Sequence, residues 1–449
     1  MSLEQFGYDD QLDRALSLGD LIVYGMIFMV PIAPFSVFGF VWHDARGMVV
    51  LAYLIGLVGM LFTALSYASM SRAFPLAGSV YAYVQRGLHE TAGFLAGWLI
   101  LLDYILIPAL LYLFSAAALQ PLLPQVPSWL WLTVFVVFNA AANLLGVRVT
   151  ARVYNALLAL ELLVLAWFVV VGAKALYGGQ GAGELTLAPL YDAHSFSLAT
   201  VASATSVAVL SFLGFDGIST LSEESSGARN AIAKATVASL LLIGALFVLQ
   251  TWIATDLARG MRFSSTETAF YEVAARAGGK GLSLAAILAV VISFGIANAM
   301  AAQAAVSRVL FAMARDRKLP GVLAAVHPRF KTPYVSTLLV AAISLLVGLF
   351  FERRIDDLTL VVNFGALTSF ALLHLATVHH YFLRERTGAW VRHLLCPLAG
   401  FAVILYVLYG MDHTAKVLGG CWLAAGIACY IAQSLNARLR TGSASIPGD

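Results

Sequence analysis

The chain has 449 residues, 61% of them hydrophobic and 11% charged, with a formal net charge of +3 and a mean hydropathy of +0.86. Soluble globular chains are about 45–50% apolar and about 25% charged, so a soluble enzyme and a disordered chain are excluded. A net charge of +3 spread along such a chain makes no basic stripe for nucleic acid, and what remains is a polytopic membrane protein. Cys396, Cys421 and Cys429 fall in the last two apolar segments and form neither a spaced ligand set nor a disulfide framework. The first apolar run, from near Leu18, is too long for a signal-peptide core and lacks an A-x-A site.

A helix needs about 20 apolar residues to cross a bilayer. On that rule twelve segments qualify, at 18–40, 48–71, 91–119, 127–145, 152–176, 199–221, 232–255, 281–313, 334–350, 358–382, 394–410 and 416–435. They use roughly 264 residues and leave about 185 for loops. The longest polar insertions, Gly178–Ser197 and Asp256–Lys280, are loop-sized, so the expectation is an all-α integral membrane protein with one domain. With the N-terminus inside, 18 basic residues fall on the inner side and 9 on the outer. That bias puts both termini in the cytoplasm.

Two segments are interrupted. In the first, Tyr24-Gly25-Met26-Ile27-Phe28-Met29-Val30-Pro31-Ile32-Ala33-Pro34 places two prolines in mid-membrane. In the sixth, Ser211-Phe212-Leu213-Gly214-Phe215-Asp216-Gly217 places two glycines and a carboxylate at similar depth. Irregular backbone in a bilayer is tolerated where it lines a protected cavity, and paired breaks in equivalent positions of two halves mark a transporter's binding site. A plain kink is the alternative for either break alone, because Pro and Gly are frequent in membrane helices.

Three sequences carry a family resemblance: Ser211–Asp216 followed by Leu221-Ser222-Glu223-Glu224; Phe74-Pro75-Leu76-Ala77-Gly78-Ser79; and Ser307-Arg308-Val309-Leu310-Phe311-Ala312-Met313-Ala314-Arg315-Asp316. Over about residues 15–435 the chain resembles the amino acid–polyamine–organocation transporters, and within them the bacterial putrescine-importer-like permeases. The resemblance implies a LeuT-type fold of two inverted five-helix repeats (about 18–176 and 199–382) with two extra helices (about 394–435), working by alternating access in the cell inner membrane. Amino-acid-transporting relatives carry a glycine-rich turn in the first segment, where bare N–H groups at the head of the second half-helix receive a carboxylate. Here Met29, Val30, Pro31 and Ile32 stand at that turn, and each proline removes a donor. The substrate expectation is therefore an amine without an α-carboxylate, with Met29–Ile32 lining its site.

Ionisable residues in a membrane segment are functional candidates, and the clearest here are Asp103, Glu161 and Asp216, with no mid-segment Lys or Arg to pair with them. A proton, a cationic ligand or both must compensate such carboxylates. Asp216 reads either as an ammonium partner, helped by the negative end of the preceding half-helix, or as an N-cap of the following one. Asp103 reads as a substrate contact or as a hydrogen bond to a neighbouring helix. Tyr112, nine residues on, is taken as close to the same face. Glu161 stands where the resemblance places a lysine in amino-acid relatives, at the ion position of sodium-coupled members of the fold. It reads as a carrier of a coupling proton or Na+, or as a neutral helix contact. Phe212 and Phe215 flank the sixth-segment break and offer aromatic faces to an ammonium, with Asn363 a further candidate. His374, His379 and His380 are spaced so that no helix face holds all three, so no metal site is read. Glu223 and Glu224 read as a solvated or gate-closing pair near Arg229 and Arg152.

Together these residues predict a secondary transporter importing a small amine such as putrescine or another polyamine. Its alternative is a permease for neutral or cationic amino acids, by proton or sodium symport or exchange. Partners are the small molecule and the lipid bilayer; no cofactor beyond a coupling ion is implied. An intramembrane enzyme would need a clustered nucleophile–base or metal set. A binding-only sensor would differ from a permease in failing to accumulate substrate.

Overall fold

The computed structural model describes residues 16–74, 79–146, 151–222, 230–315, 319–330 and 332–443. Glu223, Glu224, Arg229, Pro75–Gly78 and Asp316, named above, lie outside them, as does the Arg152 side chain. The fold is all-helical. Its long helices are α3 (Val49–Ala73), α5 (Glu90–Leu119), α6 (Ser128–Leu144), α7 (Ala151–Tyr177), α9 (Ala231–Ala258), α12 (Tyr334–Phe351), α13 (Ile355–Thr377), α14 (Cys396–Gly410) and α15 (His413–Ser443). Among the described residues ten helices are long and apolar enough to span a membrane, and the bent pair α1 (Leu18–Met29) and α2 (Pro34–Ala45) adds an eleventh. The one expected segment left over, 127–145, is α6, with 17 residues. At 1.5 Å per residue it reaches about 26 Å, short of the roughly 30 Å hydrocarbon core.

Helix α1 starts at a capping box: the Asp20 amide donates to Ser17 Oγ at 3.3 Å and the Ser17 amide to Asp20 Oδ2 at 2.9 Å. It ends because Pro31 lacks a donor and disfavours helical geometry in the residue before it. Val30 accordingly sits at φ 53°, ψ 102°. Pro34, with its fixed φ, opens α2, and the two half-helices diverge by 53°.

The sixth segment breaks by a different route. Helix α8 (Leu198–Ala208) tightens into a 3-10 turn at Val209–Phe212, Leu213 is extended, and a second 3-10 helix runs Phe215–Leu221. Gly214 between them has φ 108°, a left-handed value that side chains rarely adopt. A Cβ there would also lie 2.7 Å from the Phe28 carbonyl oxygen, so the glycine brings the two breaks together.

Around them α1 and α3 pack on α9, α2 on α8, and α5 on α13. Small residues allow the closest approaches: a Cβ at Gly25 would meet Ser239 Oγ at 2.6 Å, the way membrane helices associate without a hydrophobic drive between them. Helix α15 is fastened to α5 by reciprocal indole bonds, Trp98 Nε1 to the Trp422 carbonyl (2.9 Å) and Trp422 Nε1 to that of Trp98 (2.8 Å).

Two departures from the sequence expectation concern connections. The stretch 256–280, expected as loop, contains a helical turn from Ala269 that joins the eighth segment across non-helical Gly278 and Gly279 (α10, Ala269–Val290). Phe270 on it stacks on Phe35 at 4.0 Å, and that burial holds it. A short amphipathic helix α4 (Ser79–Gly87) links α3 and α5. The eighth segment then passes through a π-helical stretch, Val291–Asn298, into α11 (Ala299–Arg315).

Candidate functional site

The two breaks face one another at the centre of the bundle, and their side chains are buried: Met29, Val30, Ile32, Phe212, Phe215 and Asp216 are each under 5% exposed. Around the first break the backbone amides are largely used. Pro31 and Pro34 have none, Ala33 donates to the Val30 carbonyl (2.8 Å), Phe35 to Ile32 (2.9 Å) and Ser36 to Ala33 (3.2 Å). Of residues 31–36 only Ile32 keeps an amide without a partner among the described residues. The Pro31 carbonyl takes a hydrogen bond from Gln250 Nε2 at 3.0 Å. A lone glutamine inside an apolar run of α9 was a signal that sequence reasoning passed over. Val30 is β-branched at positive φ, an outlier held only where the surroundings over-determine it.

Asp216 lies in the first turn of the second 3-10 helix, but Gly214 holds the cap position, and no side-chain cap bond is made there. Asp216 is therefore not the N-cap residue itself, although as a first-turn acid its carboxylate faces the amides of Gly214, Asp216 and Gly217. It also accepts the Tyr104 hydroxyl, Oδ2 to Oη 3.2 Å. Tyr104 follows Asp103 on α5, and the Asp216 charge is near enough to act on Asp103. Asp103 is 5% exposed, and its Oδ1 has no hydrogen-bond partner among the described residues. Neither carboxylate has a lysine or arginine close by among them. Sequence reasoning missed Tyr104, though its place beside Asp103 was the available signal.

Aromatic rings close round this pair. Phe215 meets Tyr67 edge-on at 5.7 Å and Phe370 at 5.6 Å, and the Phe28 ring lies against Gly217. Phe212 points elsewhere, between Tyr53 (6.0 Å) and Phe247 (5.1 Å), where Tyr53 also pairs with Ser211 at 3.0 Å. Asn363 donates to the Ser206 carbonyl at 2.7 Å, one and a half turns before the break. Tyr112 is not brought to Asp103: it lies parallel to Phe135 of α6 at 6.5 Å. Nine residues make two and a half turns of an α-helix, which is the opposite face, so the same-face expectation is corrected.

Glu161 is a separate element. It sits on α7 seven residues beyond Tyr154, whose ring neighbours Tyr24 of α1 at 6.3 Å. Seven residues rise about 10 Å, bringing Glu161 level with the first break. The Ser293 side chain of the π-helical stretch faces it, and Glu161 Oε2 has no hydrogen-bond partner among the described residues. The three histidines go to three different partners. His374 lies between Thr63 and Ser66 (3.2 and 2.9 Å), His379 on the Gly87 carbonyl (2.6 Å), and His380 beside Glu385 (3.3 Å).

The centre thus brings two broken helices and two buried carboxylates together inside a bundle of apolar helices. The amino acid permease family model matches residues 20–415, and the chain belongs to that family: it is a multi-pass membrane transporter of the amino acid and polyamine type. It is 31% identical over 427 residues to the low-affinity putrescine importer PlaP of Escherichia coli K12, covering 93% of each chain. It is also 26% identical over 453 residues to the branched-chain amino acid permease BcaP of Bacillus subtilis (95% and 94% covered). To the methylthioribose transporter of the same species it is 24% identical over 446 residues, with 94% of each covered.

Proposed function

We propose that this permease imports a small diamine of the putrescine class by alternating access between two inverted five-helix repeats, about 18–176 and 199–382. The observation that carries the reading is the pair of buried carboxylates Asp103 and Asp216, the latter accepting the Tyr104 hydroxyl, with no basic residue beside them among the described residues. Such a centre is costly unless cations or protons fill it, and a diamine brings two ammonium groups to it. One ammonium sits at Asp216 against the Phe215 face, where cation–π attraction adds to the ion pair; the other sits at Asp103. The first break supports the same reading, because a carboxylate would find one open amide there, that of Ile32. Likeness to a putrescine importer agrees with it.

The membrane potential suffices to drive such import with the N-terminus inside. One positive charge gains about 2.3 kcal/mol per 100 mV and two gain about 4.6, or roughly 50-fold and 2,000-fold accumulation. Glu161 is the site for a proton or Na+ where coupling is used. Likeness to a branched-chain amino acid permease favours a second reading, in which the Ile32 amide receives an amino acid carboxylate. The test is uptake of radiolabelled putrescine into proteoliposomes, interior negative, with unlabelled cadaverine or ornithine as competitor. Strong inhibition by cadaverine and weak inhibition by ornithine is the expected outcome; equal inhibition by both, or no uptake, rejects the diamine reading.

A further inference from the structure

A cavity of about 410 Å³ opens between Pro121, just past α5, and the start of α10, where Ser265, Thr268, Tyr271, Glu272 and Ser283 line it. The distribution of basic residues makes this the outer end of the bundle. No residue of the carboxylate centre lines it. It backs on to α2, the half-helix that leads into the first break: a Cβ at Gly39 would meet the Thr266 carbonyl oxygen, and Phe35 stacks on Phe270 at 4.0 Å.

The wall offers acceptors. The Thr268 hydroxyl donates to Glu272 Oε1 at 2.9 Å, the Ser264 amide to both carboxylate oxygens at 3.0 and 3.3 Å, and the Ser283 hydroxyl to the Tyr271 carbonyl at 2.9 Å. These protons are spent within the wall. A hydroxyl that donates keeps two lone pairs and an ionised carboxylate has about four acceptor positions, so accepting capacity is left over. No lysine or arginine lines the cavity. Arg276, one turn beyond Glu272, donates instead to the Arg259 carbonyl at 3.0 Å. Tyr271 is 2% exposed, and its hydroxyl, turned to that of Ser36 on α2, has no hydrogen-bond partner among the described residues; nor has Ser36.

We infer that this cavity binds a primary ammonium group, with Glu272 as its charge partner and the Thr268, Tyr271 and Ser283 oxygens as acceptors: a loading site on the outer face, ahead of the carboxylate centre. An ammonium brings three donors and no acceptor, the complement of such a wall, and Pro121 and Ala275 give a methylene chain apolar surface. The identity of the amine rests on the diamine reading above. One half-exposed carboxylate holds a cation less firmly than two buried ones, so this is the weaker of the two sites.

The test is equilibrium binding of radiolabelled putrescine to the full chain in phosphatidylcholine nanodiscs, for the parent, Glu272→Gln, Asp216→Asn and Glu267→Gln. The glutamine at 272 keeps an oxygen for the Ser264 amide, so the turn is retained. The parent should bind in a tight and a weak step. Glu272→Gln should weaken the second at least tenfold and spare the first, and Asp216→Asn should do the reverse. Glu267→Gln makes the same charge change on the same loop outside the cavity lining and should bind as the parent does. A single step that Asp216→Asn weakens and Glu272→Gln leaves alone overturns this inference while the diamine reading stands. A weak step that falls equally in Glu267→Gln is bulk charge and overturns it too. Binding lost in Glu272→Gln and untouched in Asp216→Asn upholds the outer site and rejects the diamine reading of the centre; no binding at all rejects both.

Discussion

Replacing Asp216 by Asn isolates the charge that the proposed site needs. The amide is nearly isosteric, and its oxygen accepts the Tyr104 hydroxyl as Oδ2 does at 3.2 Å, so the fold round the break is kept. What is lost is the ion pair to a buried ammonium. Truncating one partner of a buried, hydrogen-bonded charge pair costs about 2–5 kcal/mol, and at 1.4 kcal/mol per decade that is roughly 30- to 4,000-fold in affinity. Titrating putrescine against the purified variant by calorimetry should therefore give a dissociation constant raised by at least about 30-fold, while the unfolding midpoint without ligand stays close to the parent's. An Asp216→Asn protein that binds putrescine as tightly as the parent refutes the reasoning, because no ammonium then rests on that carboxylate.

Four further outcomes follow from the same geometry. Gly214→Ala should destabilise the protein by about 1–2 kcal/mol for the left-handed backbone alone, plus the push of its methyl against the Phe28 carbonyl; an unchanged thermal midpoint would contradict the account of the sixth-segment break. Gln250→Leu leaves the Pro31 carbonyl without its donor, at a cost of about 1–3 kcal/mol, and denaturant or thermal unfolding reads it. Glu161→Gln should flatten the pH dependence of uptake if that carboxyl carries the coupling proton; a retained dependence removes the role. Asp192, in the loop before α8, accepts the His194 amide (3.1 Å) and the Ser195 hydroxyl (2.9 Å), which hold its carboxyl below the usual 3.8. Its folded value being depressed, its contribution is present above pH 3.8 and lost as the pH falls through the folded value. The stability difference between parent and Asp192→Asn, followed against pH, should shrink in that range.

What the sequence disclosed and what it hid divide along physical lines. The first break was legible because proline acts locally: Pro31 removes a donor wherever it stands, and Val30 ahead of it leaves the helix. The sixth-segment break was legible as Gly214 and Gly217 in an apolar run, but the division of labour between cap and carboxylate was not, because it depends on φ at Gly214 and on a phenol 112 residues away. Asp103 and Asp216 were visible as lone acids; that Tyr104, the neighbour of the first, donates to the second is a tertiary fact. Tyr112 was misplaced by a helical-wheel error that periodicity itself corrects, nine residues being half a turn out of phase. The helical turn at Ala269 escaped notice because its polar surface resembles a loop, while the ring holding it, Phe35, comes from the other end of the chain. Short-range backbone chemistry can be read from a string of letters, whereas contacts between distant helices need the fold.

The central claim is that the site recognises two ammonium groups and no carboxylate. Thermal stabilisation of the purified protein by putrescine, cadaverine, agmatine, ornithine, arginine and alanine tests it most directly, since a ligand at 100 times its dissociation constant adds about 2.7 kcal/mol to the folded state. The account predicts that the diamines raise the melting point and that ornithine, which differs from putrescine by its α-carboxylate, does not. Stabilisation by the amino acids without stabilisation by the diamines would contradict it and assign the chain to amino acid transport.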